Sequence, residues 1–585
     1  MTAQEFFNQI DVLYESDPER VESFLQEQRT IGENKQDLGW QLMVLNELIG
    51  YYRSRSLHQA SIDHSFMAIR LLGDAGLLQH VQGATTLLNC ATAFKAADCF
   101  EEAKLLYERC LKIYEDELEQ KDERFASLYN NMSDLYGQFG DTLKAKEYLF
   151  KAIEIMNKDV YPIEWATSMT NLGGLYLKEG DLKQATSVLT QAQTIFSKTE
   201  DPHLGVCLLY LGKIKQSIED YEHGLALIRH YFKENDEFRA GWKEYLELLK
   251  QKGRMDRYHL AQKKTIKGME LSQGYYEEVG KPILEKTFPD LFKQMTIALI
   301  GMGSECYGLD DALSQDHDFY PRFLIFVEDD MDPELIAQIQ AVYDQLPDYY
   351  LGYRKTHSRY KEKRDGVFKI QTFFRKMLGS HFTLEDTLDW FYLDEAALSM
   401  VQNGKIFKEG ENTFNEWRHR LYYYSEDVRL KKIMSSLAKM AQSGQYNYSR
   451  MMKRGDLVAA NQALSQFIEE TLKVLFLLHR QYCPYYKWRF ALAKQLFDKE
   501  TILDQLETLV QAPFVPLLYK EAEKNRKQAR ESKEKWIEEI SHTIIKALKR
   551  QHLTDHDDSF LQNHLENIRT RISDPEIKAM HVMEG

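Results

Sequence analysis

The feature that most constrains this chain is an internal repeat in its first half. Tyr136, Ala145 and Ala152 recur as Tyr176, Ala185 and Ala192, each offset by 40 positions (136 to 176, 145 to 185, 152 to 192). One unit earlier, Phe94, Ala103 and Cys110 take the equivalent places, shifted by 42. Ser61 and Ala68 mark a weaker unit before that. An aromatic residue followed by small residues at helical spacing describes two closely packed helices: the small side chains let the axes approach and the aromatic fills the gap. Gly140-Asp141 and Gly180-Asp181 fall between the paired helices, where a left-handed turn residue and a cap for the next helix are wanted. The pattern predicts stacked helical hairpins, each burying its apolar face only against its neighbours. Residues 230–275 keep helical spacing and are expected to cap the stack. A fragment covering residues 1–270 is accordingly expected to be wholly helical.

From about residue 40 to 230 the small–aromatic–small–small pattern resembles the tetratricopeptide repeat family. The period departs from that family's usual ~34 residues, so each unit carries an extra helical turn or a longer loop. The resemblance implies an α-solenoid with a concave face, a platform for a peptide or protein partner. Tyr129 and Trp165 are candidates for lining that groove, while most aromatics belong to the core.

At 585 residues the chain is long enough for three or four domains at about 100–200 residues each. No apolar run approaches the roughly 18–20 residues of a membrane span, and the N-terminus lacks a basic-then-apolar signal. The six cysteines, Cys90, Cys99, Cys110, Cys207, Cys306 and Cys483, have no paired metal-ligand spacing and read as thiols of a reducing compartment. The expected localisation is cytoplasmic. A net charge of −15 argues against coating nucleic acid by bulk electrostatics. Two basic stretches, Arg354 to Arg364 and Lys524 to Arg530, read as solvated faces.

After Pro282 the texture changes. Met295 to Ile300 is a short apolar run bounded by Gly301, the pattern of a buried strand. Gly301-Met-Gly303-Ser304 follows, and a second run, expected to be a strand from its start, opens at Asp316-His317-Asp318 and continues to Val327. Glycine lets backbone amides approach phosphate oxygens, and a helix after it would add its positive end. Ser304 can donate its hydroxyl to a phosphate. Asp316 and Asp318, two apart on a strand, would share a face, and two adjacent hard oxygen ligands can hold a pair of magnesium ions.

Gly303-Ser304, eleven intervening residues, then Asp316-x-Asp318 resembles the signature of the DNA polymerase beta-type nucleotidyltransferase superfamily. Over roughly residues 270–585 the chain is also similar to a bacterial family of nucleotidyltransferase-like proteins whose substrate is not established. That similarity rests on Gly303-Ser304-Glu305, Gly308-Leu309-Asp310, Ser314-x-Asp316-His317-Asp318, Pro321-Arg322, Gln445 to Arg450 and Tyr482 to Trp488. The resemblance implies two Mg2+ ions held by Asp316 and Asp318, the catalytic and metal residues, and a nucleoside triphosphate cradled by Gly303 and Ser304. Arg322 would neutralise charge. A helical domain closing the cleft would offer Arg450 and Lys487 as phosphate ligands.

The superfamily also implies a third carboxylate on a later antiparallel strand. The candidate strand, Val367 to Phe374, carries no acid: Gln371 or Lys369 stands at the expected position, Asp365 just before the strand. Glu385, Asp386, Asp389, Asp394 and Glu395 read as helix-surface acids, and His317 and His381 as structural histidines. Beyond Leu384 the chain has helical spacing in 427–443, 455–480, 488–510 and the charged tail 515–553.

The expected architecture is an α-dominated multidomain chain. Residues 1–270 form the repeat domain, 271–380 an α/β nucleotidyltransferase core and 381–585 a helical domain, with residues 285–380 expected to supply nearly all the strand. The expected function is Mg2+-dependent transfer of a nucleoside monophosphate from a triphosphate to a hydroxyl of a small molecule, protein or RNA, with the repeats recruiting a partner. The alternative is a catalytically weakened nucleotide-binding scaffold acting as a sensor.

Overall fold

A computed structural model describes residues 1–17, 20–199, 201–315, 319–355, 363–379, 387–512 and 522–585. Asp316, His317, Asp318, His381, Glu385 and Asp386 lie outside the described residues. The chain forms two compact units. The first comprises Met1–Ile266, Asp316–Pro321 and Pro347–Glu362, and the second Lys267–Gln315, Arg322–Leu346 and Lys363–Gly585.

The first unit holds helices α1 (Ala3–Ser16), α2 (Val21–Lys35), α3 (Leu38–Ser54), α4 (His58–Asp74), α5 (Val81–Ala96), α6 (Phe100–Glu117) and α7 (Arg124–Gln138). It continues with α8 (Thr142–Ile155), α9 (Pro162–Glu179), α10 (Leu182–Thr199), α11 (Leu204–Lys215), α12 (Ile218–Phe232), α13 (Asp236–Gln251) and α14 (Met255–Ala261). The strands of the chain are β1 (Thr296–Leu299), β2 (Leu324–Val327), β3 (Tyr349–Tyr350), β4 (Tyr353–Arg354), β5 (Gly366–Lys369) and β6 (Lys405–Lys408).

Helices α3 to α12 pack as five consecutive hairpins, and the repeated small residues lie where their axes meet. Ala103, Ala145, Ala152, Ala185 and Ala192 are all 0% exposed. Gly173 marks the closest approach: a Cβ there would stand 2.5 Å from Cγ of Leu189, on the facing helix. Gly140 and Gly180 take φ of 79° and 82°, and the aspartates after them accept from the backbone amides of Lys144 and Gln184, each at 3.0 Å. That is the left-handed stop and N-cap the sequence calls for. α13 and α14 continue the stack.

Every element described within residues 1–270 is helical, as expected, but this unit also takes in a segment from further along the chain. The antiparallel pair β3–β4, reached only after the chain has passed through the second unit, packs on α12 and α13. The His223 ring stacks on Tyr349 at 4.5 Å and 5°. Arg229 donates to the Gly352 carbonyl at 3.2 Å, with its guanidinium 4.0 Å from the Tyr353 ring centre and 4.4 Å from that of Phe238. Beneath the hairpin a buried carboxylate, Glu222, takes Arg257 at 3.0 Å and the Tyr245 hydroxyl, and Arg257 lies over Tyr350. The aromatic run that makes the hairpin reads, in sequence, as part of the α/β core. Only its partners on α12 and α13 reveal where it packs.

The second unit is built on a four-stranded sheet of order β5-β2-β1-β6. β1 runs antiparallel to β2 and to β6, and β2 runs parallel to β5. Every residue of β1 and β2 is buried, which is why both read as unbroken apolar runs. Three expectations are corrected. β2 begins at Leu324, not at Asp316. β5 ends at Lys369, and Gln371 lies in the first turn of a helix, Ile370–Leu378. The cause is Asp329, whose carboxylate accepts from the Gln371 and Thr372 amides at 2.6 and 3.0 Å and so starts a helix where the apolar run alone suggests strand. β6 lies outside 285–380. The C-terminal part is helical, with Glu426–Met440, Leu457–Leu478, Tyr486–Leu496, Thr501–Gln511 and Ala522–Arg550 as its long helices. Among the described residues no helix is long and apolar enough to cross a membrane. The six cysteines are free, and all but Cys99 are buried.

Candidate functional site

The strand pairing gathers the candidate residues at one end of the sheet. Ala298 pairs with Leu324, Leu324 with Gly366 and Leu299 with Lys405. The end of β1 and the beginnings of β2, β5 and β6 therefore coincide. Gly301 to Ser304, Arg322, Asp365 and Asn403 all emerge there, within the second unit.

The turn after β1 is held from both sides. The Gly301 amide donates to Oδ1 of Asn403 at 2.8 Å, and Nδ2 of Asn403 donates back to the Gly301 carbonyl at 2.8 Å. The Gly404 amide donates to the Cys306 carbonyl at 2.9 Å. Gly303 sits at φ 138°, ψ 144°, a conformation reserved for glycine. A Cβ there would fall 2.3 Å from a carboxylate oxygen of Glu305. Glu305 is in turn the partner of Arg322, at 2.5 Å, with side chains only 14% and 4% exposed. Arg322 is thus positioned beside the turn through Glu305, and a phosphate would compete with that carboxylate for the guanidinium.

Ser304 is partly exposed and opens a single 3-10 turn, Ser304–Tyr307. The α-helix expected after the Gly-Ser pair is absent, so backbone amides are available but a long helix dipole is not. The Tyr307 hydroxyl donates to Ser399 at 3.0 Å, and its ring lies 5.2 Å from Trp488. Burial pushes the Tyr307 phenol up to about 12 and raises the Cys306 thiol well above its ordinary value, so both stay protonated. Asp310, in the Gly-Leu-Asp phrase, is a clamp: its carboxylate accepts from the Gly268 amide at 2.7 Å, with Lys267 at 3.8 Å.

Of the sequence candidates, Gly303, Ser304 and Arg322 come together. Lys487 is exposed and lies 4.7 Å over Trp488, the residue that touches Tyr307. Arg450 is exposed and engages the Tyr446 hydroxyl and ring, one helical turn back. Asp316 and Asp318, six and four positions before Arg322, lie outside the described residues. Among the described residues no group of three or more His, Cys, Asp or Glu side chains is arranged to hold a metal. β5 carries no acid, and Lys369 is tied to the Asp329 carbonyl at 3.0 Å. Glu305, Ser399, Asn403 and Trp488 were missed as site residues. Glu305 and Trp488 stand inside motifs that carry the resemblance, and Asn403-Gly404 is a turn signal, so three of the four had a pointer in the sequence.

Three of the residues that hold the turn, Ser399, Asn403 and Trp488, fall within residues 390–489, which match a family described as Domain of unknown function (DUF4037). Residues 71–227 match the family described as Soluble NSF attachment protein, SNAP. The curated relative Protein KINESIN LIGHT CHAIN-RELATED 2 of Arabidopsis thaliana is 20% identical over 185 residues, 30% of this chain. The chain spans 28% of that relative's length. Among solved structures, BtubC (BKLC) from P. vanneervenii is 24% identical, covering 33% of this chain and 81% of that one, with a TM-score of 0.28. A nucleotidyltransferase-like protein from Exiguobacterium sibiricum 255-15 is 13% identical, covering 49% and 87%, with a TM-score of 0.22. At such scores the two structural likenesses carry no argument of their own. The N-terminal part is a stack of tetratricopeptide-like, SNAP-like helical repeats.

Proposed function

We propose that the second unit is a nucleotidyltransferase that moves a nucleoside monophosphate from a triphosphate to a hydroxyl acceptor, while the repeats dock the partner that is modified or that recruits it. The observation that carries this reading is the convergence of Gly303-Ser304, Arg322 and Asp365 at one end of a mixed sheet, with Asp316-x-Asp318 leading into the same strand by sequence. Backbone amides of the turn and the Ser304 hydroxyl would hold phosphate oxygens. Arg322 would trade Glu305 for the triphosphate. Asp365, at the head of β5, replaces Gln371 as the candidate third carboxylate: it stands at the right end of the sheet and can accept a proton, which an amide cannot. By their spacing in sequence, Asp316 and Asp318 would offer two hard ligands for Mg2+, whose role when bound is to neutralise charge on the triphosphate.

The absence of an acid within β5 favours a second reading, a nucleotide-binding scaffold with little or no catalysis. One experiment separates them. The full chain is incubated with magnesium, each labelled triphosphate in turn and a cell lysate, and released pyrophosphate and labelled acceptor are measured. Transfer that is lost in Asp316→Asn and weakened about 10²–10⁴-fold in Asp365→Asn is expected. Magnesium-dependent triphosphate binding without transfer would leave the scaffold reading standing alone. If calorimetry gave Asp316→Asn and Asp318→Asn unchanged triphosphate affinity, both readings would be abandoned.

A further inference from the structure

The repeat stack returns on itself. The first helices of its hairpins, α3, α5, α7, α9 and α11, stand side by side, and α13 continues the row. They share a polar inner face: Asn89 of α5 donates to Asn46 of α3 at 2.8 Å, Lys95 of α5 meets Asp134 of α7 at 2.6 Å, and Lys213 of α11 pairs with Glu244 of α13. The beginning of α13 is in turn bonded to the turn between α3 and α4. Asn235, the N-cap of α13, donates its Nδ2 to the Ser54 carbonyl at 3.1 Å while its Oδ1 accepts from the Phe238 amide at 2.9 Å. The Asp236 amide donates to the Ser56 hydroxyl at 2.9 Å, and Oδ2 of Asp236 lies 2.8 Å from Nε2 of His58. These bonds join residues 178 to 181 positions apart. Next to them, desolvation lowers the Arg53 guanidinium of α3, and Tyr107 and then Glu237 of α13 act against it through space. Side-by-side helices whose last member is bonded to the first form a ring.

Two observations mark this junction as a closure that can be unmade. Along the row the stack is joined by one continuous apolar core, from Leu45 of α3 to Leu227 of α12, whereas the bonds that close it are polar. The His58 and Asp236 side chains are 33% and 56% exposed, so water competes for their pairing. The turn leading into α13 is also strained. Lys233, two positions before Asn235, holds φ 62° and ψ −156°, a region that residues other than glycine enter only when their surroundings force them. On the opposite side of the junction Ser56 is left-handed too, at φ 54°. Strain released on opening offsets part of the bonds lost, which keeps the closed and open states close in free energy.

We propose that Ser54, Ser56 and His58 on one side and Asn235 and Asp236 on the other are a clasp that closes the repeat stack into a ring, and that large molecules reach the inner face only when the clasp opens. Asn235 is the centre of it. Its side chain is buried, and one amide group both starts α13 and grips the α3–α4 turn. Access is governed in this way whatever the inner face holds, so the clasp stands independently of nucleotidyl transfer and of any one partner.

The test uses the full chain carrying Ser127→Cys, an exposed position on α7 that faces the depression between α3, α5 and α7. Two reagents are compared, N-ethylmaleimide and a maleimide on a long polyethylene glycol chain, and loss of the unmodified Cys peptide is followed by mass spectrometry. Asn235→Asp, added to this chain, keeps a good cap for α13 but loses the donor and sets a carboxylate against the Ser54 carbonyl. Polymer labelling should become about 10-fold or more faster. Lys233→Gly admits the same backbone angles without strain, so it should slow polymer labelling about fivefold or more. A variant that merely loosened the fold could not do that. N-ethylmaleimide, small enough to enter a closed ring, should react at one rate in all three chains. Hydrogen exchange of the Asp236 amide, which donates within the clasp, should follow the polymer rates. Equal polymer labelling with and without Asn235→Asp overturns the clasp. N-ethylmaleimide rates that rise in step with the polymer also overturn it, because α7 itself has then opened. Lys233→Gly labelled no more slowly than its parent overturns the strained two-state closure.

Discussion

Replacing Arg257 by Met should open the end of the repeat stack. Glu222 and Arg257 have side chains 5% and 9% exposed and stand 3.0 Å apart. Removing one partner of a buried pair leaves an uncompensated charge and costs about 3–5 kcal/mol. The Tyr245 hydroxyl still donates to Glu222, which places Arg257→Met near the lower end, about 3 kcal/mol. Adding Glu222→Gln removes the charge that Arg257 faced, so the double variant should recover most of the loss, to within about 1 kcal/mol of the native chain. Hydrogen–deuterium exchange on the full chain measures this where it occurs, at the amides of α12 and α13, without needing the whole molecule to unfold in one step. A loss of 3 kcal/mol appears as roughly hundredfold faster exchange there. Exchange within about fivefold of native in Arg257→Met would refute the reasoning, as would a double variant no better than the single one.

Three further outcomes follow from the geometry. Gly173→Ala drives a methyl to 2.5 Å from Leu189 Cγ in a filled core, and the cost, about 1–3 kcal/mol, should lower the calorimetric transition of the repeats. An unchanged transition would mean the two helices can part freely. Gly303→Ala combines a forbidden φ with a contact on Glu305 and should weaken magnesium-triphosphate binding by about tenfold or more, for a strain of about 1–3 kcal/mol; calorimetry giving native affinity would remove the turn from the site. Desolvation lowers His230 from 6.5 to about 4. Its folded-state value lies below its unfolded one, so the unfolded chain binds the extra proton between those limits and stability falls as pH drops from 6.5 to 4, by up to about 3 kcal/mol. His230→Phe should flatten that acid limb in urea titrations, and an unaltered limb would assign it to other groups.

The sequence made the repeat stack legible because its signal is periodic and local. Ala145 and Ala185 had to be small for the same reason, and Asp141 and Asp181 had to cap the helices that follow them. The Gly-Ser turn was legible too, since only glycine reaches the backbone angles of Gly303. What failed to show were contacts between residues far apart in sequence. Nothing about Asp329 announces that it caps a helix forty residues on, so a strand was expected through Gln371. Nothing about Asn403 announces that it grips Gly301. Glu305 stood in the quoted motif, but its engagement of Arg322 depends on the pairing of β1 with β2, which periodicity cannot supply.

The path of the chain between its two units sets a limit on how the molecule can be divided. It crosses after Ile266, after Gln315, after Pro321, after Leu346 and after Glu362, so no single scission yields two whole pieces. A fragment ending at Ile266 would lack the hairpin that covers His223, Arg229 and Trp242, and would expose a ready-made aromatic seat. Such a fragment should be sticky when made alone and should be rescued by a separate peptide spanning residues 347–355. Gene fusions, truncations and protease maps that assume an appended repeat cassette would therefore cut through a structural seam, and loss of behaviour in them would report the missing hairpin before it reported anything about the second unit.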